Sequence, residues 1–196
     1  MTTGATTATG SDDLNGTALD SNTGVMMTVT GGKLESSKDG LYFVSTEVTG
    51  DFTIVASLDS ISSGMTASTS HQFRTGLMLA DANTSSMSLY AQAAIGDVTS
   101  DSTVNYVPIY AARLTAGSVS KAVFSGSPSV TPGASLYLKL QRIGNTYMAS
   151  YSNDGGVTYV NATTNPVTFT GTLPAAVRVG VFAAPGGSAA NTLTFK

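Results

Sequence analysis

The stretch LKLQRIGNTYMASY, residues 138–151, decides the fold. Each of its two arms alternates apolar and polar residues, which is the pattern of a strand with one buried face. Gly144 and Asn145 separate the arms, and both residue types tolerate the positive φ that a two-residue hairpin turn demands. The stretch therefore predicts a β-hairpin, and the residues that follow it, SNDGG at 152–156, predict a second turn for the same reason.

Similar alternation occurs along most of the chain. Clusters of Gly, Asn, Asp, Ser or Pro bound each alternating run, and apolar residues do not recur at helical spacing, so no helix is predicted. Strands are predicted over residues 25–30, 41–48, 52–58, 72–80, 87–95, 104–114, 136–143, 147–152 and 177–183. Short strands at intervals of about 8–15 residues are typical of an all-β sandwich.

No point in the sequence divides the chain into two domains. Residues 1–12 are rich in Thr, Ala and Gly and are predicted to be a linker or tail, whereas residues 13–196 are predicted to form a single β-sandwich domain. Apolar positions that alternate with polar neighbours are assigned to the core, namely Leu77, Leu79, Leu89, Leu138, Leu140, Val179 and Val181.

The charge balance narrows the possible partners. Charged residues make up 11% of the chain, the net charge is −3 and the pI is near 4.8. Electrostatic nucleic-acid binding is excluded, because it needs a basic surface that displaces counterions from phosphates. No apolar run approaches the roughly 18 residues that cross a membrane, and the first residues lack the features of a signal peptide. We expect neither a nucleic-acid nor a membrane partner.

Four segments occur in an order that indicates a known family: GDFTIVASLDSI (50–61), RTGLMLAD (74–81), YLKLQRIGNTYMASYSNDGGVTY (137–159) and LPAAVRVGVFAA (173–184). Together they resemble the concanavalin-A-like, laminin-G-like jelly-roll modules of secreted bacterial polysaccharide-degrading enzymes and surface proteins. The resemblance covers about residues 40–196. It departs from the family at Tyr137 and Tyr159, where the family usually has Trp, and at Ala80, where it often has Arg.

The resemblance carries several expectations. It implies a concanavalin-A-like jelly roll of two antiparallel sheets and a non-catalytic, glycan-binding role. It also implies a secreted or extracellular location, with catalytic or surface domains covalently linked in the parent protein.

The residues needed for simple hydrolytic chemistry are scarce. Glycoside hydrolysis needs two carboxyl groups about 5–10 Å apart, and the only glutamates, Glu35 and Glu47, begin no paired-carboxylate pattern. His71 is the sole imidazole and follows Ser70 in a Ser/Thr-rich segment, without any nucleophile motif. On these grounds we expect that the chain is not an enzyme.

A structural calcium ion is a possibility that the sequence leaves open. Calcium takes six to eight oxygen ligands, often from loops. Asp12 and Asp13 offer such oxygens and are the favoured candidates, and Asp97 and Asp101 form a second pair. The absence of Cys and the single His nearly exclude zinc.

A glycan site is predicted from alternation on two adjacent strands. Arg74 lies opposite the apolar positions of its strand, and Tyr90 and Gln92 lie opposite those of the next. If the strands are neighbours, these side chains share the polar, concave surface of one sheet, which Arg113 on the following strand also reaches. The alternatives are that each Arg shapes the sheet through hydrogen bonds and that Tyr90 packs against it.

Two functions remain open at this stage. The first is a carbohydrate-binding module that targets a secreted enzyme to a polysaccharide. An arginine-lined surface without Trp suits an acidic glycan such as pectin or alginate. The alternative is a structural or adhesive spacer domain of a bacterial surface protein, without a glycan site.

Overall fold

The protein is built from β-strands. A computed structural model describes residues 25–30, 41–63, 74–81, 89–97, 106–118, 121–124, 129–161, 166–184 and 190–195. In chain order, the strands in these ranges are β1 (Val25–Thr30), β2 (Tyr42–Thr49), β3 (Phe52–Ser63), β4 (Arg74–Asp81), β5 (Tyr90–Asp97), β6 (Tyr106–Arg113), β7 (Lys121–Phe124), β8 (Tyr137–Ile143), β9 (Thr146–Ser152), β10 (Val160–Asn161), β11 (Val167–Thr168), β12 (Ala176–Ala184) and β13 (Ala190–Phe195). Across them, no helix is long and apolar enough to cross a membrane.

The strands form two antiparallel sheets. The seven-stranded sheet has the order β1-β13-β3-β8-β9-β10, with β11 also paired to β9, and the six-stranded sheet has the order β2-β12-β4-β5-β6-β7. In both sheets, a strand from the end of the chain lies between two strands from its beginning. The prediction of an all-β jelly-roll sandwich of two antiparallel sheets is confirmed.

The hairpin that decides the fold forms as the sequence predicts. β8 and β9 pair from Tyr137 opposite Ser152 to Ile143 opposite Thr146, and the turn is Gly144–Asn145. Gly144 has a φ of +57°, a left-handed conformation that glycine adopts without steric cost. Its N–H donates to a carboxylate oxygen of Asp51 at 2.7 Å, which ties the turn to the start of β3.

Two side chains of this hairpin join it to the segment before β12. The buried Arg142 guanidinium donates to the carbonyl oxygens of Gly144, Pro174 and Ala175 at 2.9, 2.9 and 3.3 Å. The amide of Asn145 donates to the carbonyls of Phe169 and Gly171 and accepts a hydrogen bond from the N–H of Leu173. Asn145 therefore has a second role besides the turn, because its side chain forms hydrogen bonds with backbone groups that lie outside the strands.

The main core lies between the sheets. It contains inward side chains of both sheets, and all seven residues predicted for the core are buried in it. β8 shows the alternation most clearly, with Leu138, Leu140 and Arg142 buried and the residues between them more exposed. Burial of this apolar area at about 25 cal/mol per Å² is the main force that holds the two layers together.

Close approach of neighbouring strands requires glycine at two positions of the six-stranded sheet. A Cβ at Gly76 would collide with the Ala93 carbonyl oxygen on β5, and a Cβ at Gly180 would collide with the Val44 carbonyl oxygen on β2. β5 therefore packs directly against the backbone of Gly76, and β2 packs directly against the backbone of Gly180.

The predicted strand boundaries agree with the structure within a few residues for eight of the nine predicted strands. The exception in length is the strand predicted over 52–58, which continues to Ser63 because it pairs with β13 beyond its contact with β8. Residues 1–12, predicted as a linker or tail, lie outside the described residues.

Candidate functional site

The four residues predicted to bind a glycan lie on one face of the six-stranded sheet. This face points away from the seven-stranded sheet, and we refer to it as the outer face. Arg74 is opposite Gly96 on β5, and Tyr90 is opposite Arg113 on β6, so alternate residues of three adjacent strands point the same way. The prediction that these strands are adjacent in one sheet is therefore correct.

Tyr90 and Arg113 are in direct contact. The guanidinium carbon of Arg113 stands 5.1 Å from the centre of the Tyr90 ring, within the range of a cation–π interaction. The Arg113 Nε also donates to the carbonyl oxygen of Ser118 at 2.9 Å. Both side chains are buried, with exposures of 1% for Tyr90 and 0% for Arg113. Each therefore has a packing role in the free chain.

Gln92 is the next outward residue of β5 after Tyr90. It lies opposite Met78 on one side and Ala111 on the other, with an exposure of 0%. Its Nε2 donates weakly to the Met78 thioether sulfur at 3.9 Å. Its Oε1 is buried and accepts no hydrogen bond from the part of the chain that the structure describes.

Arg74 lies at the opposite end of this face from Tyr90 and is half-buried. Burial lowers the pKa of its guanidinium, and the charge of an ionised Tyr90 opposes that shift. Arg74 keeps its positive charge, since an arginine pKa starts far above neutral pH.

The outer face is not the polar surface that the sequence predicts. Its centre is a second apolar cluster of buried residues, all from the six-stranded sheet and the residue that precedes β2: Leu41, Phe43, Met78, Ala80, Tyr90, Ala94, Val107, Ile109, Ala111, Phe182 and Ala184. The expectation of one polar face was wrong because large apolar residues of β2, β6 and β12 join the alternation. The site residues are thus embedded at the edge of a core.

Further polar residues on this face were missed from the sequence. Arg178 lies between Ala80 on β4 and Glu47 on β2, in the same cross-strand row as Tyr90 and Arg113. Arg178 is half-buried and Glu47 is exposed. Ser45 lies in the row of Gln92, and its buried hydroxyl has no hydrogen-bond partner among the described residues.

The alternation of residues 177–183 would have identified Arg178, because its neighbours Val177 and Val179 are core residues. Three of the four arginines in the sequence therefore lie on one face of one sheet: Arg74, Arg113 and Arg178. The fourth, Arg142, is the residue that ties the β8–β9 hairpin to backbone carbonyls.

The metal prediction is not tested by the structure. Asp12, Asp13 and Asp101 lie outside the described residues. Within those that are described, no group of three or more His, Cys, Asp or Glu side chains could hold a metal ion.

Comparison with known proteins shows the fold. No family model matches the chain, and no curated protein matches it either. A functionally unknown protein from Saccharomyces cerevisiae has a similar structure, with a TM-score of 0.60 and 13% identity over 86% of this chain and 83% of that one. This likeness shows a shared sandwich and nothing about activity.

Enzymes are among the weaker structural matches. The alginate lyase from Klebsiella pneumoniae matches with a TM-score of 0.42 and 12% identity over 76% of this chain and 59% of the lyase. Bacteroides ovatus xyloglucan PUL GH43B matches with a TM-score of 0.44 and 12% identity over 79% of this chain and 32% of that one. The expectation that the chain is not an enzyme is contradicted by these neighbours, so it is withdrawn.

Proposed function

We propose that the chain binds an acidic polysaccharide through the outer face of its six-stranded sheet. The observation that carries this proposal is that Arg74, Arg113 and Arg178 all stand on that face, in a chain with only four arginines and a net charge of −3. Glu47 is a carboxylate on the same face, opposite Arg178, so the face has an excess of positive charge in a chain whose overall charge is negative. Such an excess favours a ligand of negative charge.

The chemistry of the face suits a uronate. An arginine guanidinium offers a rigid fork of donors that matches a carboxylate, and each charge-assisted hydrogen bond contributes about 1.5–3 kcal/mol when desolvated. Arg74 and Arg178 are the half-buried arginines of the face, so a polyanion meets them first.

The family resemblance supports the same proposal. The β8–β9 hairpin and the turn after it, which carry the most specific part of that resemblance, are formed in the structure. We therefore propose that the chain is a module of a secreted or extracellular protein and that further domains of the parent protein act on, or adhere to, the same polysaccharide. A linked binding domain raises the effective concentration of its partners at the substrate.

The test is binding to a panel of pectate, alginate, xylan and β-glucan by affinity electrophoresis and calorimetry. We expect retention on one of the two acidic glycans, and a loss of about tenfold in affinity, or about 1.4 kcal/mol, for each of Arg74→Ala and Arg178→Ala. The loss should be larger at low salt, where screening is weak. Release of reducing-sugar or unsaturated products from the same panel, measured in parallel, separates binding alone from turnover.

Lys139→Ala is the control for these variants. Lys139 is a half-buried cation on the outward side of the seven-stranded sheet, where its Nζ lies 3.9 Å from the centre of the Tyr159 ring. If Lys139→Ala weakens binding as much as a single Arg74 or Arg178 change, attraction is non-specific and the proposed face is wrong.

A structural or adhesive spacer is the second candidate, and one observation favours it. Tyr90, Gln92 and Arg113 are buried in the free chain, as residues of a packing interface are. The same panel separates the two functions. Retention by no glycan, with the fold intact by circular dichroism, would support the spacer.

A further inference from the structure

Two tyrosines lie beside each other on the outward side of the seven-stranded sheet. Tyr137 alternates with the core residue Leu138 on β8, and Tyr159 directly precedes β10. Both border Gly156, since a Cβ on that glycine would lie 3.2 Å from the Tyr159 hydroxyl oxygen and 3.5 Å from a ring carbon of Tyr137. Both side chains are only half-buried, so each ring presents part of its surface to solvent.

A hydrogen-bonding group completes this surface. Asn161 is exposed and lies opposite Ser150 on β9. The Ser150 hydroxyl donates to the Asn161 Oδ1 at 2.8 Å, which orients the amide. The Asn161 Nδ2 has no hydrogen-bond acceptor among the described residues, so it is available to a ligand. We refer to Tyr137, Tyr159 and Asn161 as the tyrosine patch.

The tyrosine patch is already ordered in the free chain. The Lys139 Nζ holds the Tyr159 ring from a position 3.9 Å from the ring centre. The Ser152 hydroxyl accepts a hydrogen bond from the Gly156 N–H at 2.9 Å, which holds the turn after β9 against the sheet. Ser150 and Ser152 are buried, although both point outward, so the sheet beneath the patch is well packed. A site that needs little ordering loses less free energy on binding.

The charges around the tyrosine patch differ from those of the outer face. Lys139 supplies a positive charge beside Tyr159. Asp154, exposed in the turn after β9, supplies a negative charge. Asp59 supplies another, since it accepts a hydrogen bond at 2.7 Å from the hydroxyl of Ser57, the residue opposite Tyr137. The patch therefore has no excess of positive charge and does not favour a polyanion.

We infer that the tyrosine patch is a second saccharide site, which binds a glycan without carboxylates. The exposed parts of the two rings pack against the apolar C–H face of a pyranose ring, and the Asn161 Nδ2 donates to a hydroxyl group. This site lies on the opposite layer of the sandwich from the outer face, and it does not depend on the proposed function.

The measurement is calorimetry of the full chain with xylohexaose, cellohexaose and laminarihexaose. We expect wild type to bind at least one of them. Tyr137→Ala and Tyr159→Ala should each weaken that binding by about tenfold, whereas Tyr159→Phe, which keeps the ring, should stay within about twofold of wild type. Val157→Ala is the matched control, because Val157 is an apolar residue of the same turn and is 81% exposed. That control should leave the affinity unchanged.

The two sites can be tested separately. Arg74→Ala and Arg178→Ala should leave the affinity for the uncharged hexasaccharide unchanged, and Tyr159→Ala should leave the affinity for pectate or alginate unchanged. If wild type binds a hexasaccharide but neither acidic glycan, the proposed function fails and the second site stands. The reverse result overturns the second site alone.

Other outcomes also overturn the inference. Equal affinities of wild type, Tyr137→Ala and Tyr159→Ala mean that the saccharide does not contact the rings. An equal loss in Val157→Ala or Tyr159→Phe means that ring packing is not what attracts it. A wild-type dimer that Tyr159→Ala dissociates, measured by sedimentation, means that the patch binds a second copy instead. If Tyr159→Ala does not fold, Asn161→Ala decides, with a loss of about threefold expected and no loss contradicting the site.

Discussion

The outward sides of the two sheets differ in how far they are buried, although strands of both sheets show similar alternation in sequence. In the seven-stranded sheet, β8 alternates between buried and part-exposed residues, and Val55 on β3 leaves 46% of its surface exposed. In the six-stranded sheet, β4 is buried on both sides from Thr75 to Ala80. Alternation therefore indicates which residues share a face, whereas the size and polarity of the side chains on neighbouring strands decide whether that face is solvated.

The largest effect is expected from removing a large side chain at the centre of the outer face. Phe182 is fully buried in the second apolar cluster, so Phe182→Ala should lower the free energy of unfolding by about 3–5 kcal/mol. Val55→Ala, on the outward side of the other sheet, should change it by less than about 0.5 kcal/mol. Urea denaturation of both variants measures the difference. Equal and small losses in the free energy of unfolding would mean that burial on the outer face does not stabilise the fold. That result would contradict the difference between the two sheets.

A smaller effect is expected where the strands of the six-stranded sheet approach most closely. Gly180→Ala places a Cβ against the Val44 carbonyl on β2, and the strands must separate, at a cost of about 2–3 kcal/mol. Gly133→Ala is the control, because an added Cβ there meets nothing within 4 Å. It should be neutral or slightly stabilising. If both variants unfold at the same urea concentration, β2 and β12 have room that the structure does not show.

The smallest effect concerns the exposed turn after β9, on the side of the seven-stranded sheet. The Asp154 carboxylate accepts hydrogen bonds from the Ser152 hydroxyl at 2.6 Å, from the N–H groups of Thr158 and Val157, and from the Thr158 hydroxyl. Chiefly through Ser152 and Thr158, these bonds hold the pKa of Asp154 well below its usual value. Because the folded pKa is lower than the unfolded one, the ionised carboxylate stabilises the fold.

That stabilisation is fully present above the unfolded pKa of about 3.9 and is lost as the pH falls toward the folded pKa. Asp154→Asn should therefore melt below wild type at pH 6, with a difference that shrinks between about pH 4 and pH 2. Melting curves across this range measure it. A difference that stays constant with pH would show that the hydrogen bonds do not depend on ionisation.

Most of the fold could be predicted from the sequence. Strands with strict alternation, such as β8 and β9, and the Gly144–Asn145 turn were predicted because local residue preferences and tertiary packing agree there. β7, β10, β11 and β13 were not specifically predicted. β10 and β11 are only two residues long, so their pairing with β9 depends on tertiary contacts and leaves no periodic signal.

The site could be predicted only in part. Alternation placed Arg74, Tyr90, Gln92 and Arg113 on one face correctly, because it depends on strand geometry alone. Burial was not predictable, since Phe43 and Phe182 come from strands distant in sequence and meet these residues only through the sheet order. The unsatisfied carbonyl of Gln92 is likewise a property of its three-dimensional neighbours.

The position of the last two strands has a consequence for how the chain acquires its structure during translation. β12 lies between β2 and β4, and β13 lies between β1 and β3, so each sheet stays split until these strands are made. Pairing between residues so far apart in sequence slows folding. The chain must be synthesised through Ala184 before β12 can join the six-stranded sheet, and through Phe195 before β13 can join the seven-stranded sheet. A nascent chain that stops short would expose strand edges on both layers, which are templates for aggregation. We therefore expect the two sheets to form only after β12 and β13 have been synthesised.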